Sequence, residues 1–360
     1  MAGLKNILDE IEAGIGDTPS VSAWLCNKYI AASMLQKAIR RNEVERAMMA
    51  ASALWRQDRR SFWRRLHVVA LEDVGAASPD VVIKVLTAVS ASSWRRRVGD
   101  ERVAIYLTRL LCGAVKTRLA DELFIQAEQS PGYNDLREKL SKADDDLLAD
   151  YAAHENNPLI ERAISLWCLA GTKKFPSDVM PGRVGSPDKV VKVLRGLDVP
   201  VDLIESCISV IGKTSWPLSI FTPLIWQEIR KQPKPLYTFY DPIPVAPEVE
   251  GIPLYAADMF TRTGQASFRQ LQKAVSQLKQ FTVRQIGLGL FYLEGRRIDK
   301  ALTSEVLNDF RQQGEITDVE SAGLCLPEYL GLRELLTENM EVLDDIRCKQ
   351  LQRSLNEEEQ

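Results

Sequence analysis

The chain has 360 residues, 45% hydrophobic and 26% charged, with a formal net charge of −3 from 46 basic and 49 acidic side chains. That balance excludes a disordered chain, and the length predicts two or three domains rather than one small core. No run approaches the roughly 18 uncharged residues of a membrane span, so no membrane partner is expected.

The N-terminus, MAGLKNILDEIEAGIGD, carries carboxylates where an export signal needs an apolar run. It predicts an N-terminal helix over residues 1–20, no export signal and a cytoplasmic protein. Residues 21–155 read as a helical domain. Between Lys28 and Arg118 there are 18 Lys/Arg against eight Asp/Glu, about ten positive charges hidden inside a near-neutral total. Acids then dominate from Asp121 to Asp150, ending in Asp144, Asp145 and Asp146, which predict a solvated helix start rather than a metal site.

Two segments of the basic domain stand out. WRQDRRSFWRR (55–65) interleaves Arg56, Arg59, Arg60, Arg64 and Arg65 with Trp55, Phe62 and Trp63. SSWRRRVGDER (92–102) repeats the chemistry with Trp94, Arg95, Arg96 and Arg97. Guanidinium forks bind phosphate bidentately, so these arginines are candidate phosphate contacts. The aromatics are expected in the core of an amphipathic helix, although exposed rings would stack bases. Helical geometry lets residues 59, 60 and 64 share a face, but not all five arginines. One of them is therefore expected to turn inward or across an interface, towards Glu72 or Asp73.

In LHVVALEDVGAASPD (66–80), Gly75 reads as a helix terminator, with Glu72 and Asp73 in the last turn. Carboxylates there oppose the helix dipole, at about 0.3–1 kcal/mol each. Arginines from a neighbouring helix or subunit are the natural partners, which marks Glu72, Asp73 and Gly75 as structural or interface residues. Ser78 and Pro79 then start another helix. Val103, Leu107, Leu110, Leu111 and Ala114 form an apolar stripe at helical spacing.

Residues 156–230 form a helical middle region, interrupted by the breaker-rich loop GTKKFPSDVMPGRVGSPD (171–188). IGKTS (211–215) imitates a phosphate-binding loop, but Cys207 stands where the first glycine is needed and CISVI precedes it, so no nucleotide is expected there. Residues 231–253 hold six of the 17 prolines and predict an extended linker at the main boundary. The block 254–360 is helical again. In QASFRQLQKAVSQLKQF (265–281), Phe268, Leu271, Val275 and Leu278 predict one helix. Asp258, Thr261, Arg262 and Gly264 mark a capped turn, with a phosphate-binding corner led by Arg262 as the alternative. The glycines of GLGLFYLEG (287–295) lie in a helical pattern without a preceding strand, so they predict close helix packing rather than a dinucleotide fingerprint. With period-two alternation scarce and Asn-Gly or Asp-Gly turns absent, the fold class is all-α, at least 60% helix, with no sheet larger than a short hairpin.

Six dispersed cysteines and two histidines predict reduced thiols and no metal centre. No cofactor motif and no acid–base constellation appears, so a non-enzymatic role is expected.

The run from Leu35 to Asp80 resembles a known family. LQKAIR (35–40), the small-residue helix after it, an Arg-Arg pair, EDVG (72–75) and Ser78-Pro79 look like the C-terminal helical region of the RarA/MgsA group of AAA+ ATPases. These are the replication-associated recombination proteins, with eukaryotic relatives that interact with Werner helicase. The resemblance continues more weakly through GDERVAIYLTRLLCGAVKTRLADELFIQA (99–127). It covers about residues 28–127 and lacks the ATPase half: no phosphate loop, no Asp-Glu box and no arginine finger. It implies helical domains like a clamp-loader-type collar, a homo-oligomer (dimer or tetramer) and a setting in replication, recombination or repair. The expected function is an oligomeric, non-enzymatic protein binding single-stranded or forked DNA through its arginine clusters. The alternative is an interaction module for a separate AAA+ ATPase or replication factor, carried by a phage or mobile element.

Overall fold

A computed structural model describes residues 2–232 and 236–358. Residues 233–235 of the proline-rich segment, Met1, and residues 359–360 of the C-terminal block lie outside the described residues. The fold is all-α: 72% of the chain is helical, and the only sheets among the described residues are two pairs of short strands.

Small side chains explain the centre. The helix Val44–Gln57 buries Ala47, Ala50, Ala51 and Ala53, which lets it pack closely between Lys28–Arg40 and Asp100–Gly113. Around this trio lie Arg59–Val69 and Pro79–Ser90, with the N-terminal helix Ala2–Gly14 set against Pro79–Ser90 through Ile7 and Ile11, while Leu119–Gln129 packs farther out on Leu159–Ala170 and Leu218–Lys231. Asn27 starts Lys28–Arg40 by accepting from the amides of Tyr29 and Ile30 at 3.1 Å. Of the stripe, Val103, Leu107 and Leu111 are fully buried and Ala114 nearly so, while Leu110 is half-buried at its edge.

One apolar core runs from Ile7 to Ala257 and takes in Leu307, Leu351 and Leu355 from the C-terminal block. A second, smaller one gathers Phe268, Leu271, Ile286, Leu332 and their neighbours. Gly287 and Gly289 pack within it, Gly287 against Met259 and Phe268 and Gly289 against Leu332 and Leu336, so their lack of a side chain serves close approach. The helix Glu305–Ser321 lies along Leu119–Gln129 and ties the block to the main body.

The structure corrects the reading of residues 265–281 as one helix. Arg262–Ala274 is helical, Val275 is extended, and Ser276–Gln280 forms a 3₁₀ turn. A side-chain bond from Gln272 to the Phe281 carbonyl spans the break, and Val275 and Leu278 still reach the second core. From Leu236 onward the proline-rich segment is extended, as proline demands, but it also pairs, while its first residue, Lys231, still belongs to the helix Leu218–Lys231. Tyr237–Phe239 runs antiparallel to Ala301–Thr303, and Glu248–Val249 to Ile252–Pro253. The latter pair is joined by Glu250 and Gly251, both at positive φ (51° and 80°), a primed turn made without asparagine or aspartate.

Candidate functional site

The helix Arg59–Val69 is capped by Asp58, whose carboxylate accepts from the Ser61 amide at 2.9 Å and from Lys28 Nζ at 3.1 Å. Those hydrogen bonds, the Ser61 amide first, hold the Asp58 carboxyl far below the ordinary carboxylate range. The register set by this cap turns Phe62, Trp63, Leu66 and His67 inward and leaves Arg59, Arg60 and Arg64 exposed. The aromatics are therefore core residues. Trp55 and Trp63 both donate to Asp100 Oδ2, at 2.6 and 3.2 Å.

In the second cluster the short helix Ser92–Val98 divides its arginines. Arg96 and Arg97 are exposed, but Arg95 is only 6% exposed. Its guanidinium lies 3.9 Å from the Trp63 ring centroid, donates to Asp100 at 2.9 Å and binds the carbonyls of Ala88 and Val89. Those bonds hold the packing of three helices together. Arg97 pairs with Glu12 at 3.1 Å and Arg56 with Glu101 at 2.9 Å, so each already has a carboxylate within the chain. Arg262 is exposed in the C-terminal block, away from the groove described next.

Both clusters meet in an open groove of about 1110 Å³. One wall carries Arg59, Arg60, Arg64 and Arg65, and Arg95 and Arg96 belong to another. Lys28 lines it as well, and residues 212–216 close it from a part of the chain more than a hundred residues away. Eight basic side chains line it against two acidic ones, Glu72 and Asp100, and both acids are paired with arginines. Among the described residues, Arg59, Arg60, Arg64, Arg65, Arg96 and Lys213 form no ion pair. Burial, with Arg95 nearby, lowers the Lys213 pKa, as expected where cations crowd one another.

IGKTS is not a phosphate loop. Ile211–Lys213 is a 3₁₀ turn, and the next helix begins only at Leu218. Its residues nonetheless line the groove, a placement with no local signal. Lys28, Tyr29, His67, Lys213 and Trp216 are among the groove residues that reading the sequence did not single out as a site.

Behind the groove lies a buried ionic cluster. Glu72 and Asp73 occupy a π-helical turn, Ala70–Val74, ended by Gly75 at φ 52°. Arg40 and Arg118 of the same chain are their partners: Arg40 meets Asp73 at 2.5 Å and Glu72 at 3.1 Å, and Arg118 meets them at 2.5 and 2.8 Å. Burial alone would raise the Asp73 pKa, but these two guanidinium groups outweigh it and hold it down. Arg118 also binds Asp121, and Arg296 binds Glu122 and, at 3.0 Å, Glu315.

No family model, no curated protein and no solved structure matches this chain. Among the described residues, no three His, Cys, Asp or Glu side chains are grouped to hold a metal ion, and no helix is long and apolar enough to cross a membrane.

Proposed function

We propose that the chain binds nucleic acid through this groove, single-stranded or forked DNA above all, in replication, recombination or repair. One observation carries the reading: two arginine clusters some thirty residues apart line a single groove whose acids among the described residues, Glu72 and Asp100, are already paired with arginines. Six cations without carboxylate partners repel one another unless an anion covers them, and a strand of phosphates supplies a row of such charges. The resemblance of residues 35–80 to the RarA/MgsA C-terminal region supports the same setting and adds an oligomer, with dimer or tetramer proposed. The role is binding and assembly rather than catalysis.

The test is an anisotropy titration of single-stranded, forked and duplex DNA at two salt concentrations, with light scattering beside it. Binding that weakens steeply with salt supports the proposal. A species of about 40 kDa at all concentrations removes the oligomer. The second reading, a module for a separate AAA+ ATPase or replication factor, is favoured by Leu326 and Leu330. These stand exposed one turn apart on the helix Leu326–Glu338. Absence of DNA binding with intact oligomers decides for that reading.

A further inference from the structure

The groove contains one group that phosphate binding leaves unused. His67 is 2% exposed and lines the groove, with Nδ1 3.1 Å from the Trp63 carbonyl oxygen. Its Nε2 is buried and has no hydrogen-bond partner among the described residues. A carbonyl can only accept, so the network assigns the proton to Nδ1 and leaves Nε2 as a bare acceptor. Burial lowers the His67 pKa despite the Trp63 carbonyl, and Lys213 and Arg64 push the same way, so the ring is neutral at pH 7. A neutral acceptor among cations is wrong for an ionised phosphate, which offers acceptors only. It suits a ligand that brings a donor along with its negative charge.

Aromatic rings complete the picture. Tyr29 and Trp216 both line the groove and are 58% and 44% exposed. Trp216 is held in place by stacking on Phe124, with ring centroids 5.3 Å apart. Exposed rings beside arginines form the usual platform for unstacked bases.

Resting on the nucleic-acid reading above, we propose that the groove takes an unpaired base as well as phosphates, the base stacking on Trp216 or Tyr29 and donating an N–H to His67 Nε2. Every base carries such a donor, so affinity depends on the presence of bases more than on their identity. A duplex offers neither a free face nor its pairing donors, and the histidine nitrogen is too deep for a base that stays in its stack.

The experiment compares three probes by anisotropy or competition: a short single-stranded oligonucleotide, an abasic deoxyribose-phosphate strand of equal length, and inorganic polyphosphate. The wild-type chain is expected to hold the oligonucleotide about tenfold tighter than the abasic strand. His67→Leu should shrink that ratio several-fold while leaving the abasic affinity unchanged, and Trp216→Leu should shrink it by removing the stacking platform. The tryptophan variant keeps the test available if the histidine variant does not fold. Equal wild-type affinity for the oligonucleotide and the abasic strand overturns the base-binding proposal and leaves the phosphate reading standing. So does a His67→Leu protein of unchanged circular dichroism that weakens for all three probes alike. No binding of any probe overturns both readings together.

Discussion

Arg65 donates from Nη1 to Gln36 Oε1 at 3.1 Å, and the amide of that same Gln36 donates to Glu72 and Asp73, each at 2.9 Å. The one arginine of its cluster that turns partly inward thus reaches the buried carboxylates through an intervening amide. From there the polar chain continues through Arg118 to Asp121, while Arg296 joins Glu122 to Glu315 of the C-terminal block. The wall of the groove and the buried cluster are one hydrogen-bonded structure.

That continuity makes the cluster a stability element. Asp73→Ala leaves Arg40 and Arg118 to share Glu72, with Asp121 on Arg118 alone, so the buried cluster loses one carboxylate from between its two guanidinium groups; removal of one partner from a buried pair costs about 3–5 kcal/mol. Urea denaturation monitored by circular dichroism should show a loss of that size. A loss below about 1 kcal/mol would mean that the cluster is hydrated.

The arginines of the groove divide into two kinds. Arg60→Glu with Arg64→Glu should weaken DNA binding without changing the helical spectrum, because both side chains are exposed. For single strands the log–log salt slope should flatten by about 0.7 for each phosphate that is no longer neutralised. Unchanged affinity with broken oligomers would assign these arginines to assembly instead.

Arg95→Ala should behave oppositely. The side chain is buried against Trp63 and bonded to Asp100, so its removal should destabilise the fold by about 3 kcal/mol or more and disturb the second wall. A thermal melt matching the wild type would contradict this and return Arg95 to the phosphate-binding set.

The pH dependence follows from two buried groups. Burial, with the carboxylates of Glu72, Glu122 and Asp73 adding to it against the pull of Arg118, raises Asp121 to about 7 from its ordinary 3.8. A carboxyl raised in the folded state stabilises fully below about pH 4, and that contribution is lost as the pH rises through about 7. Asp121→Asn should therefore gain stability relative to wild type as the pH rises from about 4 to about 7; parallel urea profiles would refute it. His67, lowered from 6.5, works in the other sense: its contribution is complete above 6.5 and is lost as the pH falls through the folded value. His67→Leu should flatten the stability profile on that acidic side.

Gly75→Ala tests the turn that presents Glu72 and Asp73. The residue has φ 52° and ψ −150°, a region open almost only to glycine, and an added Cβ would lie 3.0 Å from the Thr117 carbonyl oxygen. Strain of about 1–3 kcal/mol is expected, readable as a lower urea midpoint. An unchanged midpoint would show that the turn relaxes at no cost.

By itself the sequence determined the features whose cause is local. Three-and-four spacing sets a buried stripe whatever the neighbours are, so the all-α class and the inward Phe62 and Trp63 were legible in it. Gly75 as a terminator, Pro79 at a helix start and the uneven charge were equally plain. Only the tertiary structure decided which charges face a ligand. Arg95 and Arg96 are adjacent and chemically identical, yet one lies over Trp63 and the other in solvent, because the choice depends on where the Trp63 helix packs. Lys213 and Trp216 join the groove across about 150 residues of chain, and Tyr237–Phe239 finds its strand partner at Ala301–Thr303. Such meetings are set by how whole helices pack, and no local pattern of side chains carries that information.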